Sequence, residues 1–254
     1  MAKELPNITK IAVALSNHSK MLVLDSLMDK RGHTLLEIAR EANIQPQTAS
    51  YHLQNFINNG WVKMEKSGRF HYFFLVSDQV AALIEQFSPL SPSASTHTLT
   101  RALKVDKMRT FRSCYDHMAG KIGVLITDQL LADHLISEEP QAYQVTPDGL
   151  NFFEKGLNID LETVQKKKRL FTVKCLDWSE RKHHLGGALG NAIFDAFSKQ
   201  AFVERDPNTK RALYLTAEGK YFLHTELNCQ LNKPTGTHKS HPSQNNDGWL
   251  LYIH

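Results

Sequence analysis

Residues 46–60, PQTASYHLQNFINNG, carry a dense polar set and not one acidic side chain. If the run is helical, Ala49, Leu53, Phe56 and Ile57 share one face, which leaves Gln47, Thr48, Ser50, Tyr51 and Gln54 pointing outward from its N-terminal half. The chemistry open to that outward set is the reading of base edges. Gln pairs bidentately with adenine, Ser and Thr donate or accept, and Tyr reaches phosphate or packs on a thymine methyl. A helix N-terminus also favours an anion. Downstream, Lys63, Lys66, Arg69 and His71 crowd a short Ser-Gly turn, an arrangement suited to a nucleic-acid backbone or minor groove. The plainer reading is a solvated polar helix and basic turn in a domain that binds protein instead.

A second set lies in the C-terminal half: Cys114, Asp116 and His117, then Cys175, Asp177, Trp178 and His184. Cys, His and Asp are soft-to-borderline metal ligands, and a Cys beside a His or beside Arg112 can be held as a reactive thiolate. Cys114 and His117 are three apart, on one face if helical. The competing reading is that these cysteines pack as small hydrophobes. If the two stretches face each other, the thiols, imidazoles, Asp116, Asp177 and Trp178 line one cleft, fit for a thiophilic metal, an electrophile or a small polar ligand against the indole. No cofactor is firmly indicated, and a metal ion stays open.

The elements that must position these residues can be read from pattern. Ile11, Ala14 and Leu15 mark a first helix, and Leu22, Val23, Leu27 and Met28 a second, stopped at Lys30, Arg31 and Gly32. Thr34 is placed to cap a third helix carrying Leu35, Leu36, Ile38, Ala39 and Ala42 and ended by Asn43. Pro46 suits the first position of the fourth, which Asn59 and Gly60 close. Trp61, Val62 and Met64 lead through Lys66, Ser67 and Gly68 into a strand where Phe70, Tyr72 and Phe74 alternate with Arg69, His71 and Phe73. Ser77 or Asp78 caps a last helix through Phe87. The expected organisation is a winged helix-turn-helix at 1–87, a Ser/Pro-rich linker at 88–98, a further domain at 99–232 and a disordered tail at 233–254. The fold class is mainly α with small β-hairpins (α+β).

The 99–232 region repeats itself. Cys114-Tyr-Asp-His117-Met-Ala-Gly120 returns as Cys175-Leu-Asp177 and, past an insertion at Trp178–His183, His184-Leu-Gly-Gly187. Val145-Thr146-Pro-Asp-Gly149 matches Leu215-Thr216-Ala-Glu-Gly219, and Leu157-Asn158-Ile159 matches Leu227-Asn228-Cys229. Three blocks in one order predict two copies, about 110–159 and 171–229, each read as helix, strand, Thr cap and closing helix. The shared H-x-x-G-x-x-G spacing (His117, Gly120, Gly123; His184, Gly187, Gly190) predicts close helix approach across the copies.

The chain has 254 residues, 41% hydrophobic and 22% charged, with net charge +4, a balance that permits nucleic-acid binding without demanding it. MAKELPNITK has no signal-peptide core, no run approaches the roughly 20 apolar residues of a membrane helix, and three scattered cysteines make no secreted framework. A cytoplasmic location is expected, with no membrane partner.

The run from Leu35, LLEIAREANIQPQTASYHLQNFINNGWVKMEKSGRFHYFFL, resembles the ArsR family of winged-helix repressors. Leu36, Ile38 and Ala39 fall on that family's positioning helix, Thr48 to Leu53 on its S-x-x-S-x-H-L recognition helix, Gly60 and Trp61 on the helix exit, and Arg69 to Tyr72 on the wing. The resemblance implies a homodimer built on Ile11–Leu15 and Val80–Phe87, and binding to an imperfect inverted repeat in double-stranded DNA. The family's metal-sensing Cys-x-Cys is missing: His33-Thr-Leu-Leu-Glu37-Ile-Ala stands there, so that arsenic, lead or cadmium site is not expected. Larger members also end in CYDH- and CLDW-type blocks like those here. The reading is thus a transcriptional regulator, a repressor before an activator, modulated by a small-molecule, metal or thiol-reactive signal. No G-x-S-x-G, H-E-x-x-H or P-loop points to an enzyme. The alternatives are an enzyme centred on Cys114, His117, Asp177 and His184 with an appended winged helix, and a protein-interaction module.

Overall fold

The structure, a computed structural model, describes residues 8–87 and 99–229; the expected linker and tail lie outside them. The described residues form two compact units, one on 8–87, with which the turn Cys114–Asp116 is grouped, and one on the rest of 99–229.

The N-terminal unit runs α1 (Ile8–Leu15), α2 (His18–Asp25), β1 (His33–Thr34), α3 (Leu35–Glu41), α4 (Pro46–Asn58), β2 (Val62–Ser67), β3 (Phe70–Leu75) and α5 (Asp78–Phe87). This is the winged helix-turn-helix that the pattern predicted. Local chemistry sets each boundary. Thr34 and Glu37 form a reciprocal capping box at the start of α3. Pro46 opens α4, and Gly60, at φ 70, lets the chain turn out of it into the hairpin. Ser77 Oγ accepts from Val80 N at the start of α5. Val23, Leu24, Leu27, Ile38, Leu53 and Phe56 are all but fully buried and fix how the helices meet.

Three details depart from expectation. The sheet has a third strand, β1, paired to β3 through His33↔Phe73 and Thr34↔Tyr72. Phe73 and Leu75 face the core, whereas Phe70 at the tip is 46% exposed; with aromatics on both sides of β3, alternation carried no sign. Leu36 is 68% exposed, outside the buried face of α3.

The C-terminal unit starts with α6 (Leu99–Thr110). Its first half follows as β4 (Arg112–Cys114), β5 (His117–Ala119), α7 (Gly120–Ala132), β6 (Ile136–Glu138), β7 (Tyr143–Val145) and α8 (Pro147–Asn151). A π-helical turn, Phe152–Gly156, and α9 (Leu161–Gln165) lead on to the second half. That half is β8 (Val173–Leu176), β9 (His183–Gly186), α10 (Gly187–Lys199), β10 (Val203–Arg205), β11 (Leu213–Leu215) and α11 (Ala217–Thr225). Both halves read hairpin, helix, hairpin, helix, so each opens on a hairpin where a helix was expected. Cys114 and His117 accordingly flank a two-residue turn and do not share a helical face.

The repeated glycines do a different job from the expected one. Gly120 and Gly187 start α7 and α10 at φ 77 and 81, a left-handed conformation. A Cβ on Gly123 or Gly190 would come within 2.6 Å of Met118 O or 2.4 Å of Leu185 O, so each glycine seats its helix on its own hairpin. Gly190 also faces the other half, where the same Cβ would lie 3.2 Å from His117 Cβ. Phe111, Ile126, Phe153, Leu189, Phe197 and Leu223 anchor one continuous core through both halves.

Candidate functional site

On α4, Ala49, His52, Leu53 and Phe56 are buried, and Gln47, Thr48, Ser50, Tyr51 and Gln54 are exposed. Tyr51 presents a large ring to solvent, at 66% exposure. Gln54 is held by Asn58, its Nε2 donating to Oδ1 at 3.0 Å. His52 belongs to the inner face, which the sequence pattern did not assign; burial first and then Lys20 push its pKa below the usual histidine value.

In the wing, Lys66 and His71 are cross-strand partners, and Arg69 projects from the turn with its guanidinium 5.0 Å from the Phe70 ring centroid. Lys63 is spoken for: its Nζ lies 2.6 Å from Glu65 Oε1. The positive charge therefore concentrates at the hairpin tip. Ser19, Arg40, Asn43, Gln45 and Thr48 line a depression of about 450 Å³ at the N-terminal end of α4. Ser19 and Arg40 were not singled out from the sequence, since neither falls on the reading helix.

In the C-terminal half the structure brings together four of the seven singled-out side chains. Cys175 and His184 stand opposite each other in the β8–β9 register. His117 joins them, its Nε2 3.1 Å from His184 Nε2, and Cys114 reaches the same point from the end of β4. One ligand atom from each of the four lies within 4.8 Å of every other. Cys114, His117 and His184 are buried and Cys175 is partly exposed. The other three sit around this group. Asp177 Oδ2 is 3.4 Å from His184 Nδ1, 2.8 Å from an Arg112 terminal nitrogen, and accepts from Gly120 N at 2.7 Å. Burial alone would raise the Asp177 carboxyl; the His184 contact, the Arg112 guanidinium and Ser179 outweigh it and hold the group well below the usual carboxylate range. Trp178 lies under the Arg112 guanidinium, 4.7 Å from centroid to Cζ. Asp116 is directed elsewhere, its Oδ2 3.0 Å from Lys30 Nζ.

A helix-turn-helix with a non-acidic polar reading face and a basic wing tip is a DNA-binding module, and residues 16–63 match the family described as winged helix-turn-helix DNA-binding. The HTH-type transcriptional regulator YdfF of Bacillus subtilis (strain 168) is 38% identical over 226 residues, which span 89% of this chain and 99% of the relative. The chain belongs to these HTH-type, winged-helix transcriptional regulators. The solution structure of the homodimeric winged helix-turn-helix DNA-binding domain (fragment 1–100) of Mb0332 from Mycobacterium bovis aligns with 38% of this chain and 100% of that one, at 21% identity and a TM-score of 0.30. Among the described residues no helix is long and apolar enough to cross a membrane.

Proposed function

We propose that this DNA-binding regulator acts in the cytoplasm as an ArsR-type homodimeric repressor of an imperfect inverted repeat. In this reading α4 lies in the major groove, the wing tip touches the backbone, and the duplicated C-terminal region senses the signal instead of catalysing a reaction. The carrying observation is the exposed set Gln47, Thr48, Ser50, Tyr51 and Gln54 on α4, with Lys66, Arg69 and His71 at the wing tip. These are base-reading and phosphate-contacting groups in the places where such a motif uses them. Ser19 and Arg40, beside the N-terminal end of α4, extend the phosphate contacts. Ile11 and Val13 of α1 and Phe87 of α5 are 44%, 62% and 43% exposed in the single chain, which fits a second copy covering these helices. A two-fold dimer reads a two-fold operator.

Gel-shift titration over several salt concentrations, on DNA upstream of the protein's own gene, tests this. Gln47→Ala and Tyr51→Ala should each cost about 1–3 kcal/mol on the specific site and relax base preference. Lys66→Ala and Arg69→Ala should weaken all sequences alike and reduce the salt slope by about 1 each. Four silent variants on a verified operator would sink the assignment of reading helix and wing.

A further inference from the structure

The β5 and β9 imidazoles point their Nε2 atoms at each other at 3.1 Å, with one thiol beside each. We propose that Cys114, His117, Cys175 and His184 bind a single zinc(II) ion in a tetrahedral Cys2His2 site. Three of these ligands lie within the C-terminal unit, and Cys114 is tied to His117 by the two-residue turn.

Donor type, geometry, charge and surroundings all favour that ion. Two thiolates with two neutral imidazoles form a donor set characteristic of structural zinc. Bonds of about 2.0–2.3 Å to a tetrahedral ion place ligand atoms roughly 3.3–3.8 Å apart. The four atoms here are already within 4.8 Å, so closure needs movements of about 1 Å and no rearrangement of the hairpins. Zinc(II) with two thiolates is neutral, which suits a site where three of the four ligands are buried. A monovalent ion such as copper(I) would leave a net negative charge there.

The surroundings are prepared for the same end. Asp177 faces Nδ1 of His184 and favours the proton on that nitrogen, which leaves the Nε2 lone pair toward the cluster. Asp177 is itself held by Arg112, the Gly120 amide and Ser179, so a fixed carboxylate stands 3.4 Å from that ring nitrogen. Gly186 makes room: a Cβ there would come within 3.2 Å of His117 Nε2 and 3.5 Å of Cys175 Cβ. The third cysteine supplies a contrast. Cys229 lies in the apolar core, where burial pushes its thiol up to about 12, as befits a packing residue.

Metal binding is measured on the full chain without DNA, so its failure and that of the operator reading are separable. Under anaerobic, reducing conditions the chain should take up one equivalent of cobalt(II), with the intense visible bands of a tetrahedral ion and thiolate charge transfer, and zinc should displace it. Cys175→Ser should lose the charge-transfer intensity and weaken binding beyond the roughly 10–100-fold that removing an outer partner costs. Cys175 is partly exposed, so this variant should keep the fold, with circular dichroism as the check. His183→Ala, at the exposed neighbour, should titrate as the unaltered protein does. Zinc should also suppress alkylation of Cys175 in the unaltered chain. Absence of a tetrahedral cobalt spectrum, equal titration of Cys175→Ser, or equal alkylation with and without zinc would each overturn the site.

Discussion

The two halves of the C-terminal unit agree in their helix boundaries and differ in their first hairpins. Thr146 and Thr216 each accept from the amide three residues on, Gly149 N and Gly219 N, both at 3.0 Å. The chain leaves its first helix through a left-handed residue in both, His134 at φ 55 and Ala201 at φ 55. It leaves the last helical stretch through Asn158 and Asn228, where Ile159 N→Phe153 O and Cys229 N→Leu223 O close the same six-residue bond. The hairpins do not match in this way. β4 and β5 are buried throughout and joined by two residues, whereas β8 is partly exposed and joined to β9 by Asp177–Lys182. The longer connection lets the Asp177 side chain bind Ser179 and Glu180 amides while reaching Arg112 and Gly120 of the first half. The two halves thus share their helix boundaries and differ in the hairpins that carry the Cys/His cluster.

The aligned aspartates, Asp116 and Asp177, offer the sharpest way to break that comparison. Arg112 and Asp177 are both fully buried, so removing one leaves an uncompensated charge. Arg112→Leu should cost about 3–5 kcal/mol in urea or thermal unfolding. Asp116 is buried too, but its partner Lys30 is 44% exposed and already screened by solvent, so Lys30→Ala should cost less, about 1–2 kcal/mol. Equal losses would remove the distinction. The Asp177 carboxyl is held below its unfolded value, so its contribution is complete above about pH 4 and is lost as pH falls through the carboxylate range. Asp177→Asn should flatten that acid limb.

Much of the scaffold was legible because its signals are local. Thr34 with Glu37, Pro46, Asn43 and Gly60 each act within four residues, and α3 and α4 start and stop where they stand. The three-block repeat likewise pointed to Cys114, His117, Cys175 and His184 before any geometry. The hairpins carrying those side chains were not legible. Arg112-Ser-Cys and His117-Met-Ala are three residues long and buried on both faces, so they show neither alternation nor apolar dominance. Arg112 reads as a surface residue; its burial depends on Asp177, 65 positions away. That distance hid the pairing that buries Arg112 and fixes Asp177 beside His184.

The next effect in size tests the helix seats. A Cβ on Gly149 would lie 1.9 Å from Leu135 O, and one on Gly219 2.0 Å from Phe202 O, both backbone atoms with little room to yield. Gly149→Ala and Gly219→Ala should each destabilise by about 1–3 kcal/mol. Gly156→Ala is the control: its Cβ meets only the Phe152 ring, at 3.5 Å, and the change should stay within about 0.5 kcal/mol. A large loss at Gly156 or none at Gly149 would mean that the halves are not held by these close approaches.

The smallest effect is the most exact comparison. Thr146 Oγ1 accepts from Gly149 N at 3.0 Å and donates to His134 O at 2.6 Å; Thr216 Oγ1 accepts from Gly219 N at 3.0 Å and donates to Ala201 O at 2.8 Å. Each hydroxyl therefore caps the closing helix of its half and ties it to the left-handed exit of the preceding long helix. Both threonines are half-buried, so solvent can partly replace the lost bonds in either variant. Thr146→Ala and Thr216→Ala should each cost about 1 kcal/mol, within the usual range for a lost N-cap. Because geometry and burial match, the two losses should agree within about 0.5 kcal/mol. Denaturant titration with a fixed slope resolves that difference. A silent Thr216→Ala beside a costly Thr146→Ala would show that the second half no longer relies on the scaffold it shares with the first.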